Sequence, residues 1–157
     1  MINPHLSWHK PQALKAYPYQ PDLSAIPKEA GVYVFYRTYG QKNFQVFYVG
    51  KAKNLRSRIK GQLNNLKLMN GIQKAANGAR YLAYAEVALK PGQKPEPTIH
   101  AAEKLLIRHY VEEGHQLLNI QGIKIRIQTL TNERPNQLNK LVPLRTQVDA
   151  SQETPDN

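Results

Sequence analysis

Gly31-Val32-Tyr33-Val34-Phe35-Tyr36-Arg37 and, after a short link, Phe44-Gln45-Val46-Phe47-Tyr48-Val49 decide the fold. Both stretches concentrate β-branched and aromatic residues, which suit a pleated and largely buried surface. The link Thr38-Tyr39-Gly40-Gln41-Lys42-Asn43 is polar and contains one glycine. The pair is expected to form a β-hairpin with a loop longer than the tightest turns. From Ala52 onward the period changes. Leu55, Ile59 and Leu63 recur at every fourth position, the spacing of one helix face, while Lys53, Arg56, Arg58 and Lys60 occupy other angles. A second helix is expected over 64–76, with Leu66, Met69, Ile72 and Ala76 as its apolar stripe and Gly71 as a weak point.

Asn77-Gly78 marks a turn, and Tyr81–Leu89 reads as a third strand. A proline-rich link from Pro91 to Pro97 leads to Thr98, a suitable N-cap for a helix over 99–113 that Gly114 would end. Glu103 falls in the angular sector of Ile99, Leu106 and Tyr110. A carboxylate on an inward face is costly without a partner, so Glu103 requires a cation, hydrogen-bond donors or a wet cleft. Farther on, Ile123, Ile125 and Ile127 alternate with polar residues and suggest a late strand.

Toward the other end, Pro4, Pro11, Pro18, Pro21 and Pro27 rule out a long helix, and residues 1–27 read as an irregular arm. The expected organisation is this arm, a domain over 28–122, an extension over 123–145 packed on or near it, and a mobile tail over 146–157. The chain of 157 residues has no cysteine, which excludes disulfides, thiolate catalysis and cysteine-bound zinc and suits a cytoplasmic setting. No apolar run is long enough for a transmembrane helix, so no membrane partner is expected. The formal net charge is +11, and residues 1–60 carry ten basic groups against only Asp22 and Glu29. Such a field can attract nucleic acid, anionic lipid or an acidic protein.

Gly31-Val32-Tyr33 and Tyr48-Val49-Gly50 resemble the two tripeptides that name the GIY-YIG nuclease family, each with valine for the usual isoleucine. The following Lys51-Ala52-Lys53-Asn54-Leu55-Arg56-Ser57-Arg58-Ile59 is similar to that family's first helix, especially in the excision-repair nuclease subunit. Arg58 matches the family's arginine, Glu103 its metal-binding glutamate, and Asn119 a polar residue that often closes the site. The resemblance covers roughly residues 31–120 and implies an α+β fold with a small three-stranded antiparallel sheet flanked by helices. It also implies a divalent-metal-dependent endonuclease acting on DNA.

Under that resemblance, Tyr33, Tyr48, Arg58 and Glu103 are the catalytic candidates, with Gly31, Gly50, Lys51 and Asn119 supporting them. Glu103 would hold Mg²⁺ or Mn²⁺, both of which accept hard oxygen ligands. Arg58 would fork onto the phosphate, and Tyr33 would help activate water. Lys51, Lys53, Arg56 and Lys60 are the candidate nucleic-acid contacts. Such contacts to phosphates give affinity with little sequence information, so branched, nicked or otherwise structured DNA is the expected substrate class. RNA stays open as an alternative, as do a homodimer and a separate targeting subunit. One departure is Gln62, where the family often has histidine or tyrosine; an amide is no useful base. Two other classes remain: a noncatalytic nucleic-acid-binding module of the same fold, and a protein-interaction domain with a basic face.

Overall fold

The computed structural model describes residues 2–75, 77–118, 123–124, 128–148 and 153–154. In chain order its elements begin with β1 (His5–Trp8), β2 (Gln12–Leu14), β3 (Gly31–Tyr39) and β4 (Asn43–Ala52). Then come α1 (Leu55–Gln62), α2 (Leu66–Lys74), β5 (Ala79–Val87) and α3 (Pro95–Glu112). Four short strands follow: β6 (Ile123–Lys124), β7 (Gln128–Glu133), β8 (Arg145–Val148) and β9 (Glu153–Thr154). Of the alternating isoleucines, Ile125 and Ile127 lie outside the described residues.

β3 and β4 pair antiparallel from Gly31↔Ala52 to Tyr39↔Asn43, with a register shift beyond Phe35. Gly40 turns the hairpin at φ 61°, a region open to a residue without Cβ. β5 lies antiparallel on the other side of β3. The sheet does not stop there, and the expected small three-stranded antiparallel sheet is corrected. Seven strands are joined in the order β4-β3-β5-β1-β7-β8, with β2 also paired to β5. β1 runs antiparallel to β5 and parallel to β7, so the sheet is mixed.

The physical reason lies at the outer edge of β5. Left bare, that edge would present a row of unpaired N–H and C=O groups. Residues 6–8 cover one half of it and residues 12–14 the other. The expectation of an irregular N-terminal arm is therefore also corrected: proline-flanked as they are, these residues are strands of the main sheet. Trp8 secures the join, donating from Nε1 to Asn132 Oδ1 at 2.7 Å, while Asn132 Nδ2 donates to the Pro143 carbonyl at 2.7 Å.

Helices cover both faces. Val32, Val34, Tyr36, Ala83 and Ala85 pack with Ile99, Leu106 and Tyr110 of α3. Tyr33, Phe35, Leu82 and Tyr84 pack with Leu55 and Ile59 of α1 and Leu68, Met69 and Ile72 of α2. Burial on both sides explains why β3 reads as a continuous apolar run instead of alternating with polar residues. The α1 end is satisfied by Asn54, whose side chain accepts from Ser57 N, and by the Pro27 and Glu29 carbonyls, which accept from Arg56 N and Leu55 N. α3 begins earlier than the Thr98 cap expected from the sequence. Pro95 opens it, since the missing N–H of proline costs nothing in a first turn, and Thr98 is buried inside. Among the described residues, no helix is long and apolar enough to cross a membrane.

Candidate functional site

Tyr33 and Gly50 stand directly opposite each other on β3 and β4. The tyrosine ring crosses the glycine so closely that a Cβ at position 50 would overlap Tyr33 Cζ and Oη. Gly31 has a different reason: a Cβ there would overlap the Ala85 carbonyl oxygen of β5. Both glycines thus mark close backbone approaches. Tyr48 lies beside Tyr33, their ring centroids 6.1 Å apart and their planes 21° from parallel.

α1 turns Leu55, Ile59 and Gln62 inward. Gln62 Nε2 lies 2.8 Å from the Tyr33 hydroxyl and 3.0 Å from that of Tyr48, and Asn65 Nδ2 donates to Gln62 Oε1 at 3.2 Å. Arg58, one turn before Gln62, brings its guanidinium toward the Tyr33 oxygen as well. From the other face of the sheet, α3 contributes Glu96, His100 and Glu103, residues whose spacing sets them on one helix face. The two groups meet around the edge strand β4 in a cleft of about 740 Å³ lined also by Lys51 and Lys53.

The charges in this cleft are unevenly satisfied. Lys51 Nζ donates to Glu96 Oε1 at 2.7 Å and lies 3.1 Å from His100 Nδ1. That bond to Lys51 holds Glu96 below the ordinary carboxylate value. Burial, with Lys51 and Lys104 nearby, pushes His100 down, which keeps it neutral and able to accept at Nδ1. Glu103 is buried, and desolvation raises its carboxyl above the usual range despite Lys51, Lys104 and Arg58. Among the described residues, none is within hydrogen-bonding or ion-pair distance of its carboxylate. Tyr33 is wholly buried, and its phenol is pushed up to about 12, burial outweighing the Gln62 amide and the Arg58 guanidinium.

Of the residues singled out from the sequence, Tyr33, Tyr48, Gly50, Lys51, Lys53, Arg58 and Glu103 line this one cleft. Gly31 sits away from it, against β5. Lys60 is exposed and is not among the lining residues. Arg56 is turned elsewhere: Nε donates to the Ile26 carbonyl at 2.8 Å and Nη2 to that of Ser24 at 3.2 Å, tying α1 to the preceding loop. Asn119 lies outside the described residues. Glu96, His100 and the bridging role of Gln62 were missed. The helical spacing of Glu96, His100 and Glu103 was the available signal for the first two, because positions four and three apart share a face.

A metal would find a thin protein shell, since no group of three or more His, Cys, Asp or Glu side chains capable of holding one occurs among the described residues. The Glu103 carboxylate nevertheless fits a cation: it is desolvated, lacks donors among the described residues and faces a cleft. Waters and ligand oxygens would have to complete the shell. No family model matches the chain, and neither the curated proteins nor the solved structures return a match to it.

Proposed function

We propose that the chain is a divalent-metal-dependent endonuclease that hydrolyses DNA phosphodiester bonds. The observation that supports this reading is the convergence of Tyr33, Tyr48, Arg58 and Glu103, from four separate elements, on one cleft. Hydrolysis of a phosphodiester requires a positioned water and positive charge at the phosphate oxygens. Arg58 carries a permanent charge and planar donors suited to those oxygens. Mg²⁺ or Mn²⁺ held on Glu103 would supply Lewis-acid charge to the phosphate. Tyr48 orients the phosphate or the water through its hydroxyl. Tyr33 helps activate the water; burial pushes its phenol up to about 12, and Gln62 and Arg58 act against that rise. Lys51, paired with Glu96, and Lys53 set the electrostatics of the entrance. Structured DNA, a cytoplasmic setting and a targeting partner or second copy belong to the same proposal.

The direct test is cleavage of linear, nicked, flap and branched DNA, with RNA controls, under Mg²⁺, Mn²⁺ and chelator, beside Glu103→Ala. Metal-dependent cutting lost in Glu103→Ala is the expected result. Cutting undiminished by that change would remove the metal assignment. A second reading, a noncatalytic nucleic-acid-binding module, draws on the Tyr33 phenol pushed up to about 12 and on an amide at position 62. It predicts binding to branched DNA without cleavage under any metal, weakened by Arg58→Ala.

A further inference from the structure

The orientation of the Gln62 amide follows from a backbone group two steps away. The Leu68 N–H is only a donor, so the Asn65 side-chain atom that meets it at 3.2 Å is Oδ1. The other Asn65 atom is then Nδ2, and the Gln62 atom 3.2 Å from it must be the acceptor Oε1. That leaves Gln62 Nε2 against both phenols, at 2.8 Å from Tyr33 and 3.0 Å from Tyr48, with two N–H bonds to give. The Arg58 guanidinium acts on the Tyr33 oxygen as well. With Gln62 donating to it and the Arg58 cation acting on the same oxygen, the neutral Tyr33 hydroxyl turns its own proton away from both.

We infer that Gln62 is a positioning residue, locked by the N-cap of α2, whose amide turns the Tyr33 and Tyr48 protons away from α1 and supports the Tyr33 oxygen once its proton is gone. In the phosphodiesterase reading, on which the nature of the ligand rests, the tyrosine pair then presents two O–H donors to phosphate oxygens or water. A histidine or tyrosine at position 62 can exchange a proton with these phenols; the amide only fixes their polarity. The titratable and charged groups that face the pair are Arg58 on α1, Lys51 on β4, Lys53 just beyond it, and Glu96, His100 and Glu103 on α3. Tyr84 on β5 stands opposite Tyr33 in the sheet.

The test places 3,5-difluorotyrosine at position 33, a phenol acidic enough to titrate in the folded protein, and follows it by ¹⁹F NMR. Three backgrounds are compared: the unaltered chain, Gln62→Met and Asn65→Asp. Methionine keeps the length of Gln62 without a donor. Aspartate caps α2 as well as asparagine, yet cannot donate to Gln62 Oε1, so the amide turns over and offers its oxygen to the phenols. Asn65 is exposed, so its substitution leaves the core intact even where Gln62→Met disturbs it. The expected result is a titration midpoint higher in both variants by about one pH unit, a tenfold loss of phenolate at a given pH. The alkaline limb of the cleavage profile should move with it. Midpoints unchanged or lowered in variants that retain the parent's circular dichroism overturn the proposal. A protein that cuts no substrate removes the nuclease reading alone, and the titration still decides the role of Gln62.

Discussion

At position 50 a single methyl group is enough to test the site. Any Cβ there collides with the Tyr33 ring, which is buried and hemmed in by Phe35 at 6.0 Å and Tyr48 at 6.1 Å between centroids. Gly50→Ala is expected to cost about 1–3 kcal/mol in urea unfolding, the range for forced overpacking, and, under the proposed nuclease reading, to abolish cleavage, because the ring must leave its place. Glu103→Gln should separate stability from function. Burial raises the Glu103 carboxyl, so its charged form weakens the fold at neutral pH. The neutral isostere should unfold at the same or a higher urea concentration, yet lose metal-dependent cleavage by about a hundredfold or more. A loss of stability with cleavage retained would show that Glu103 is a structural carboxylate.

Helix α1 shows how one element divides its basic residues between two tasks. Arg56 joins the helix to the loop before it through two carbonyls, whereas Arg58, two positions on, faces the cleft. Arg56→Ala is expected to cost about 1.5–3 kcal/mol, the span for a hydrogen bond from a charged donor, with little change in the salt dependence of the proposed DNA binding. Lys53→Ala should leave unfolding nearly unchanged and flatten that salt dependence by about one unit of slope. Chemical denaturation and a salt titration of DNA affinity check the pair. The sequence could not tell Arg56 from Lys53, since exposure and partner depend on where the Ile26 carbonyl ends up. β3, β4 and the apolar stripe of α1 were legible because their composition and period are local properties. Glu103 was legible because a charge in an apolar sector is anomalous wherever the helix docks. β1 was not: Leu6 and Trp8 do alternate with His5 and Ser7 in burial, but four residues beside two prolines give too short a signal. Pairing with β5 and β7 decides their conformation, and both partners are remote in sequence. The start of α3 was missed because a first-turn proline and a threonine cap are competing signals only three residues apart.

The whole molecule depends on β1 as a middle strand. Removing residues 1–27 deletes both segments that cover the edge of β5 and cuts β7 and β8 off from the rest of the sheet. The shortened chain is expected to be insoluble or to melt at a markedly lower temperature, measured by calorimetry beside the full chain; an unchanged melting temperature would contradict this dependence. Stability should also fall in acid. Burial holds His109 and His115 below their ordinary value of 6.5, and His115 accepts at Nδ1 from the Val46 N–H at 3.1 Å. Their folded pKa values are depressed, so the unfolded chain takes up protons first as pH drops below 6.5. Their contribution is present above that pH and lost beneath it. Glu103, raised in the folded state, works in the opposite sense and offsets part of the loss. Urea midpoints at pH 7.5 and 5 should therefore differ, with His115→Gln narrowing the gap. The placing of β1 has one more consequence, for biosynthesis. His5 finds Thr131 only after 126 further residues of chain. A ribosome makes residues 5–8 long before their neighbour on β7, so the nascent sheet waits with one flank bare, and chaperone demand should track translation speed across that interval.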